Sequence, residues 1–510
     1  MLAKVQSSAV LGIDAYLVEV EADITAQLPA FTTVGLPDGA VRESKERVQS
    51  AIKNSDYIFP SKKVTINLAP ADVKKEGSAF DLPIAVGILA ATGQILREDF
   101  SKFVLLGELS LDGSLKPVPG VLPMALKIKQ LGGVSLIVPR GNADEAAMAE
   151  LPVYAMDSLR QTVEFLENGQ ARTAHIIDLE AVFQQSESYP VDYSEVKGQE
   201  HAKRALEIAA AGGHNIILIG TPGSGKTMLA RRLPTILPPL TLEEALETTK
   251  IHSVAGFLAS GVALVATRPF RAPHHTISDA GLIGGGRIPR PGEVSIAHHG
   301  VLFLDEMPEF RKDVLEVMRQ PMEDGRVTIS RAAMTLTYPA QFMLAGAMNP
   351  CPCGYFGDPN HECKCSPLQV QKYRAKISGP LLDRIDLHIE VPAVKFKELA
   401  DDSAAERSEV IRARVAKARE RQMKRFVNEK QIFANAHMET RAIRRYCPIG
   451  QDSKDLLRLA ISKLGLSARA YDRILKVART IADLEGTDAI GRAHVAEAIQ
   501  YRSLDRRAWE

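Results

Sequence analysis

At 510 residues the chain is too long for one hydrophobic core, and a length of roughly 150 residues per domain suggests about three domains. Its 63 Lys and Arg stand against 62 Asp and Glu, a formal net charge of +1, which excludes a polycation and leaves any polyanion to a local basic patch. The N-terminus has no basic stretch followed by an apolar run, and the longest apolar segment, Leu82 to Ala91, is too short to span a bilayer; a soluble, cytoplasmic protein without a membrane partner is expected.

Residues 1–172 mix β-patterned runs (Val64 to Leu68, Phe103 to Gly107, Ser135 to Val138) with helical stretches (Ala40 to Asn54, Phe80 to Ala91), which reads as an α+β domain. Its basic residues Arg42, Lys45, Arg47, Lys74 and Lys75 suit either contact with a nucleic-acid strand or a solvated face. Residues 173–192, with Gln-Gln-Ser-Glu-Ser-Tyr-Pro, have linker composition.

Residues 193–395 alternate strand and helix, predicting a parallel α/β core. The apolar run Asn215 to Ile219 feeds Gly220-Thr221-Pro222-Gly223-Ser224-Gly225-Lys226-Thr227, and Met228 to Leu233 continues as a helix. A strand entering a glycine loop that opens a helix cradles phosphates on backbone N–H groups; Lys226 would reach the outer phosphates of ATP and Thr227 would ligate Mg²⁺. The next buried strand, Val301 to Leu304, ends in Asp305-Glu306. Asp305 is expected to hold Mg²⁺ through its water shell, and Glu306 to polarise the attacking water. Asn349, after the strand Gln341 to Ala345, would orient that water from the other side, though Asn-Pro is also a common turn device.

Between Thr227 and Asp305 an insertion from Arg268 to Gly292 is basic and glycine-rich around Arg287 and Arg290, as a phosphate-contacting loop or a plain solvent loop would be. His274, His275, His298 and His299 lack the carboxylate spacing of a metal site. Glu323 to Ala332 reads as a hairpin turning on Gly325, with Arg326 and Arg331 available for substrate, nucleotide or solvent. Cys351-Pro-Cys353 and Cys363-Lys-Cys365 are two C-x-C pairs in a polar loop, able to close around a structural Zn²⁺, with His361 as a substitute ligand and a reduced, metal-free loop as the alternative. Residues 396–510 carry only helical signals, among them Ser403 to Phe426 and Arg469 to Glu485, and predict a helical lid; the Lys- and Arg-dense stretch Arg412 to Arg425 is a solvated basic helix first and a DNA patch second.

Val196-Lys-Gly-Gln199, the glycine loop, Leu304-Asp305-Glu306, Asn349, Gly379-Pro-Leu-Leu-Asp-Arg384 and Leu466-Ser-Ala-Arg469 stand in the order of the AAA+ ATPases, which the chain resembles. Arg268-Pro-Phe-Arg-Ala-Pro-His-His275 and Cys351-Pro-Cys353-Gly narrow the resemblance to the magnesium-chelatase-like branch, and the N-terminal domain to the ComM/YifB family, over essentially the whole chain. The resemblance implies a homo-hexameric ring with Arg384 as an arginine finger for the neighbouring subunit, Arg469 as a second sensor at the γ-phosphate, and Gln199 at the nucleotide. It further implies a motor on single-stranded and branched DNA, promoting branch migration during natural transformation or recombination beside recombinase partners; a chelatase-like protein remodeller is the alternative.

Gly107 to Gly120 and Lys74 to Ala85 resemble the Lon-protease domain, of the ribosomal protein S5 domain 2-like fold. Proteolysis there needs a serine activated by a lysine. The serine slot holds Asp81 and the lysine slot Leu122, with Ser78 and Lys116 nearby, so a non-proteolytic platform is expected.

Overall fold

A computed structural model describes residues 1–97, 99–168, 172–185, 189–258, 262–286, 289–331, 334–394, 405–429 and 432–502. Arg287, the predicted helix start at Ser403 and the 395/396 boundary lie outside these residues. The chain divides into two compact units: Met1–Ser186 with Leu242–Ala266, and Glu187–Thr241 with Thr267–Glu510.

In the first unit a mixed seven-stranded sheet runs in the order Ala30–Val34, Lys63–Ala69, Asp14–Thr25, Leu2–Leu11, Phe103–Leu105, Ser135–Pro139, Val153–Met156. The two longest strands form an antiparallel hairpin, Leu2 opposite Asp23 through Leu11 opposite Asp14. Sequence periodicity missed this hairpin because Ser7, Ser8 and Ala9 interrupt its apolar positions; both hydroxyls donate to backbone carbonyls, of Leu105 and Tyr16 at 2.9 Å each, so they are buried without penalty. Helix Asp81–Ala91 is apolar on every side and packs on this hairpin as a central core element. Helix Leu242–Ala255 belongs to this unit and packs on helix Val121–Lys129, although it lies in sequence between two strands of the other.

The second unit is built on a five-stranded, all-parallel sheet in the order Phe270–Arg271, Val301–Leu304, Met343–Met348, Ile216–Ile219, Leu387–Glu390. Ile216 lies between Ala345 and Leu387, so one edge of the sheet carries Gly220, Asp305 and Asn349, each one residue past the end of its strand. Ligands of open α/β sheets bind at this carboxyl edge, where helix N-termini and loops converge. The described C-terminal residues are helical, in Ser408–Arg425, Thr440–Tyr446, Gln451–Leu464, Ala468–Leu484 and Arg492–Gln500. They join the sheet through a buried knot in which Asp386 accepts from Arg473 at 2.5 Å and contacts His214 at 3.2 Å, while His214 meets Thr480 at 2.8 Å.

The hairpin expected near residue 325 is present but turns elsewhere. Strand Arg326–Arg331 pairs antiparallel with Met334–Pro339, from Arg326 opposite Pro339 to Arg331 opposite Met334, and residues 332–333 lie outside the described residues. Gly325 instead closes helix Arg319–Asp324 in the left-handed region at φ +63°.

Candidate nucleotide site

Strand Ile216–Ile219 delivers the chain into the glycine loop, and helix Lys226–Ile236 carries it away. Gly220 is required sterically: a Cβ there would lie 2.2 Å from the Val391 carbonyl oxygen. Gly223 and Gly225 adopt φ of +78° and +87°, turning the loop backbone inward. The Gln199 side-chain amide donates to the Ser224 carbonyl, which ties this residue to the loop.

Lys226 is only 8% exposed, and its ammonium donates to the carbonyls of Gly220 and Thr221 at 2.7 and 2.9 Å and to Asn349 Oδ1 at 3.2 Å. Burial lowers its pKa, and the nearby charges of Asp305 and Glu306 pull it back up. A buried cation whose three acceptors are all neutral fits an anionic ligand. Thr227 donates its hydroxyl to Asp305 Oδ2 at 2.7 Å, bringing together two oxygen ligands suited to Mg²⁺. Ser224 Oγ is buried without a hydrogen-bond partner.

Glu306 takes a left-handed conformation at φ +50°, unusual outside glycine, and its carboxylate stands exposed with Oε2 3.9 Å from His275 Nδ1. The His275 contact was not anticipated, since the histidine pair follows the edge strand Phe270–Arg271 and only the parallel sheet brings that strand beside Val301–Leu304.

Arg384 and Arg469 are not part of this cluster. Asn215, at the start of the phosphate-loop strand, donates through its amide to the Arg384 carbonyl at 3.1 Å, and Asp386 N–H donates back to the Asn215 carbonyl at 2.9 Å. Arg384 therefore lies at the amino edge of the sheet, on the order of 15 Å along the strands from the glycine loop. Its guanidinium binds the Pro380 carbonyl at 2.6 Å and the Glu323 carboxylate, not the neighbouring Asp383 or Asp386. Arg469 stands at the same edge, exposed, 3.7 Å from Asp383. Neither guanidinium can reach the glycine loop of its own chain in this arrangement.

The four cysteines converge. Cys351 lies 3.3 Å from Cys353 and 3.7 Å from Cys363, Cys353 lies 3.6 Å from Cys363, and with Cys365 all four sulfurs fall within 4.8 Å of one another. The amide of Tyr355, then that of Lys364, lowers the Cys353 thiol to about 6, whereas Cys363 and Cys365 are pushed up by burial and by the sulfurs beside them. The donor set fits tetrahedral Zn²⁺. His361 instead approaches Asp358 at 3.6 Å and stacks on Tyr355.

Several basic residues are engaged internally. Arg268 donates to the carbonyls of Pro238, Pro239 and His299, and Arg271 forms a two-pronged pair with Glu293 at 2.7 and 2.8 Å. On helix Ser408–Arg425, Arg414, Arg419, Arg421, Lys424 and Arg425 all donate to acceptors within the chain. Arg290, Arg326 and Arg331 are exposed.

In the first unit, Arg47 turns inward and clasps Asp81 at 2.6 and 3.0 Å, and Lys75 is fully buried with its ammonium on the Val73 carbonyl at 2.6 Å. Both are committed to internal acceptors. Leu122 is fully buried, and the Ser78 hydroxyl is taken by the Glu108 carboxylate, not by an amine.

Comparison with known proteins matches three models of the magnesium chelatase subunit ChlI: one over residues 192–399, a second over 20–142, and its C-terminal model over 405–502. A Salmonella typhimurium protein designated YifB is 45% identical over 99% of this chain and 98% of its own length. Competence protein ComM of Haemophilus influenzae is 44% identical, again over 99% of this chain and 98% of its own. The magnesium-chelatase 67 kDa subunit of Chlorobaculum parvum is 31% identical over 31% of this chain and 23% of its own length.

Proposed function

This chain belongs to the ComM/YifB family of magnesium-chelatase-like proteins, and on that premise we propose that it is an AAA+ ATP hydrolase that assembles into a closed ring, a hexamer, and drives DNA. The observation that carries the reading is the split of the catalytic set: Lys226, Thr227, Asp305, Glu306 and Asn349 gather at one edge of the sheet, while Arg384 and Arg469 stand at the other. A site whose arginines point away from it is completed by the next subunit. Such a head-to-tail interface closes as a ring when the rotation closes.

In this reading Gly220 to Thr227 cradle the phosphates and Lys226 exchanges its neutral acceptors for phosphate oxygens. Thr227 and, through a water, Asp305 would hold Mg²⁺, which would supply positive charge against the phosphates. Glu306 takes the proton of the attacking water and Asn349 orients that water. The neighbour's Arg384, released from Glu323, stabilises charge at the γ-phosphate, with Arg469 beside it. Gln199 braces the loop at the nucleotide. Cys351, Cys353, Cys363 and Cys365 hold a structural zinc.

The Haemophilus relative is a competence protein, which supports DNA as the track. We propose branch migration of single-stranded and branched DNA during recombination or transformation, in the cytoplasm and beside recombinases. Exposed Arg290, Arg326 and Arg331 supply contacts to the phosphate backbone. The first unit is a Lon-like platform without a protease dyad. A protein remodeller is the second reading, favoured by the matches to a chelatase subunit. ATPase measured with and without branched DNA across a salt series separates them: salt-sensitive stimulation supports the DNA motor, and indifference to all nucleic acid supports the remodeller.

A further inference from the structure

We propose that the four-cysteine metal loop is a working part of the nucleotide site, clamping both Asn349 and the glycine loop in place, so that zinc occupancy sets ATP affinity. The inference rests on the nucleotide reading above and extends it to a control by metal.

Two contacts carry it. Cys351 is the second residue after Asn349, whose Oδ1 receives the Lys226 ammonium at 3.2 Å, so a metal bound to Cys351 anchors that strand end within about 7 Å of the sensor amide. Further along the loop, Gly354 at φ +88° lies directly on Pro222, the third residue of the glycine loop: a Cβ at 354 would be 2.6 Å from both Cγ and Cδ of the proline ring. The cysteine loop thus touches the phosphate cradle on one side and its polar sensor on the other.

Protein braces surround this junction. Arg374, 8% exposed, donates from Nε to the Pro350 carbonyl at 3.0 Å and lies 5.0 Å over the Phe356 ring. The loop itself offers little apolar surface, with Phe356 46% exposed, so a cross-link through its four sulfurs is the physical means of ordering it. Without that cross-link, Gly354 loses its fixed seat on Pro222.

The test uses the full-length protein, purified under reducing conditions and assayed for bound zinc by metal analysis and for affinity with a fluorescent non-hydrolysable ATP analogue. The expected protein carries about one zinc per chain. Stripping with an organomercurial, followed by thiol, should weaken analogue binding about tenfold or more at unchanged far-UV circular dichroism, and zinc should restore it. Equal affinity with and without zinc, or a chain that binds no zinc, overturns the proposal. Zinc-loaded protein that binds no nucleotide overturns the nucleotide reading, and this one with it. Because stripping risks unfolding, Gly354→Ala provides a second arm with all cysteines intact. It should keep its zinc and bind the analogue about 3- to 30-fold more weakly, with partial recovery in Gly354→Ala/Pro222→Ala, where the clashing ring atoms are gone. Unaltered affinity in Gly354→Ala, or no coupling between the two substitutions, contradicts the clamp.

Discussion

Thr227 donates its hydroxyl to Asp305 across 2.7 Å, linking the first turn of the helix after the glycine loop to the end of the neighbouring-but-one strand. In the proposed nucleotide reading this bond gives way to Mg²⁺, held by Thr227 and, through water, by Asp305. Thr227→Val and Asp305→Asn should each reduce turnover by about 10- to 100-fold, the usual effect of losing a metal ligand's support. Raising Mg²⁺ should partly rescue both, and steady-state ATPase against Mg²⁺ concentration reads the result; loss that ignores Mg²⁺ would separate this pair from the metal.

Glu306 combines a strained backbone at φ +50° with an exposed carboxylate. Glu306→Gln should bind ATP and assemble normally while turning over about 10²-fold or more slowly, by loss of the general base. Glu306→Gly should lose turnover as completely yet unfold at higher temperature, since glycine relieves about 1 kcal/mol of left-handed strain. A variant that gains no stability would show that the backbone at 306 is not strained.

The Arg47 and Asp81 pair yields a pH prediction. Burial pushes the Asp81 carboxyl up to about 6, against the opposing pull of Arg47. For an acid whose folded pKa exceeds its unfolded value of about 3.9, the contribution to stability is full below the unfolded value and is lost as pH rises through the folded one. Arg47→Met removes the counter-charge and raises the folded pKa further. Denaturant unfolding of the full chain should show the variant destabilised by about 3–5 kcal/mol at pH 8 and by clearly less at pH 5, where the carboxyl is protonated. Arg47→Met/Asp81→Leu should regain most of the loss. Equal destabilisation at both pH values would rule out the buried charge as its origin.

The phosphate loop, the Asp305-Glu306 strand end, Asn349 and the cysteine cluster were legible in the sequence because each is a local motif attached to a strongly apolar strand. The short strand Leu387–Glu390 was not: four residues alternating Leu-His-Ile-Glu are too few to stand out and read as half-exposed, whereas the sheet buries His388. Nor could local spacing reveal tertiary choices: Arg47 and Lys75 read as surface cations until a buried carboxylate and a backbone carbonyl claim them. The assignment of Leu242–Ala266 to the first unit and the seat of Gly354 on Pro222 arise from contacts far apart in the chain. Even Gly325, a fair turn signal, could not distinguish a hairpin apex from a helix C-cap, both of which accept φ above zero.

The proposed ring rests on the separation of Arg384 from Lys226, and mixing tests it. Lys226→Ala lacks a working phosphate loop and Arg384→Ala lacks the guanidinium, which in trans contributes about 10³-fold or more to turnover, so each alone should be nearly inactive. Co-assembled in equal amounts from separated subunits, they should recover about a quarter of wild-type ATPase, from the seams where an intact phosphate loop meets an intact Arg384 in a head-to-tail ring. Mixtures that remain inactive while co-assembling, or Arg384→Ala protein that hydrolyses ATP at full rate by itself, would contradict the shared site.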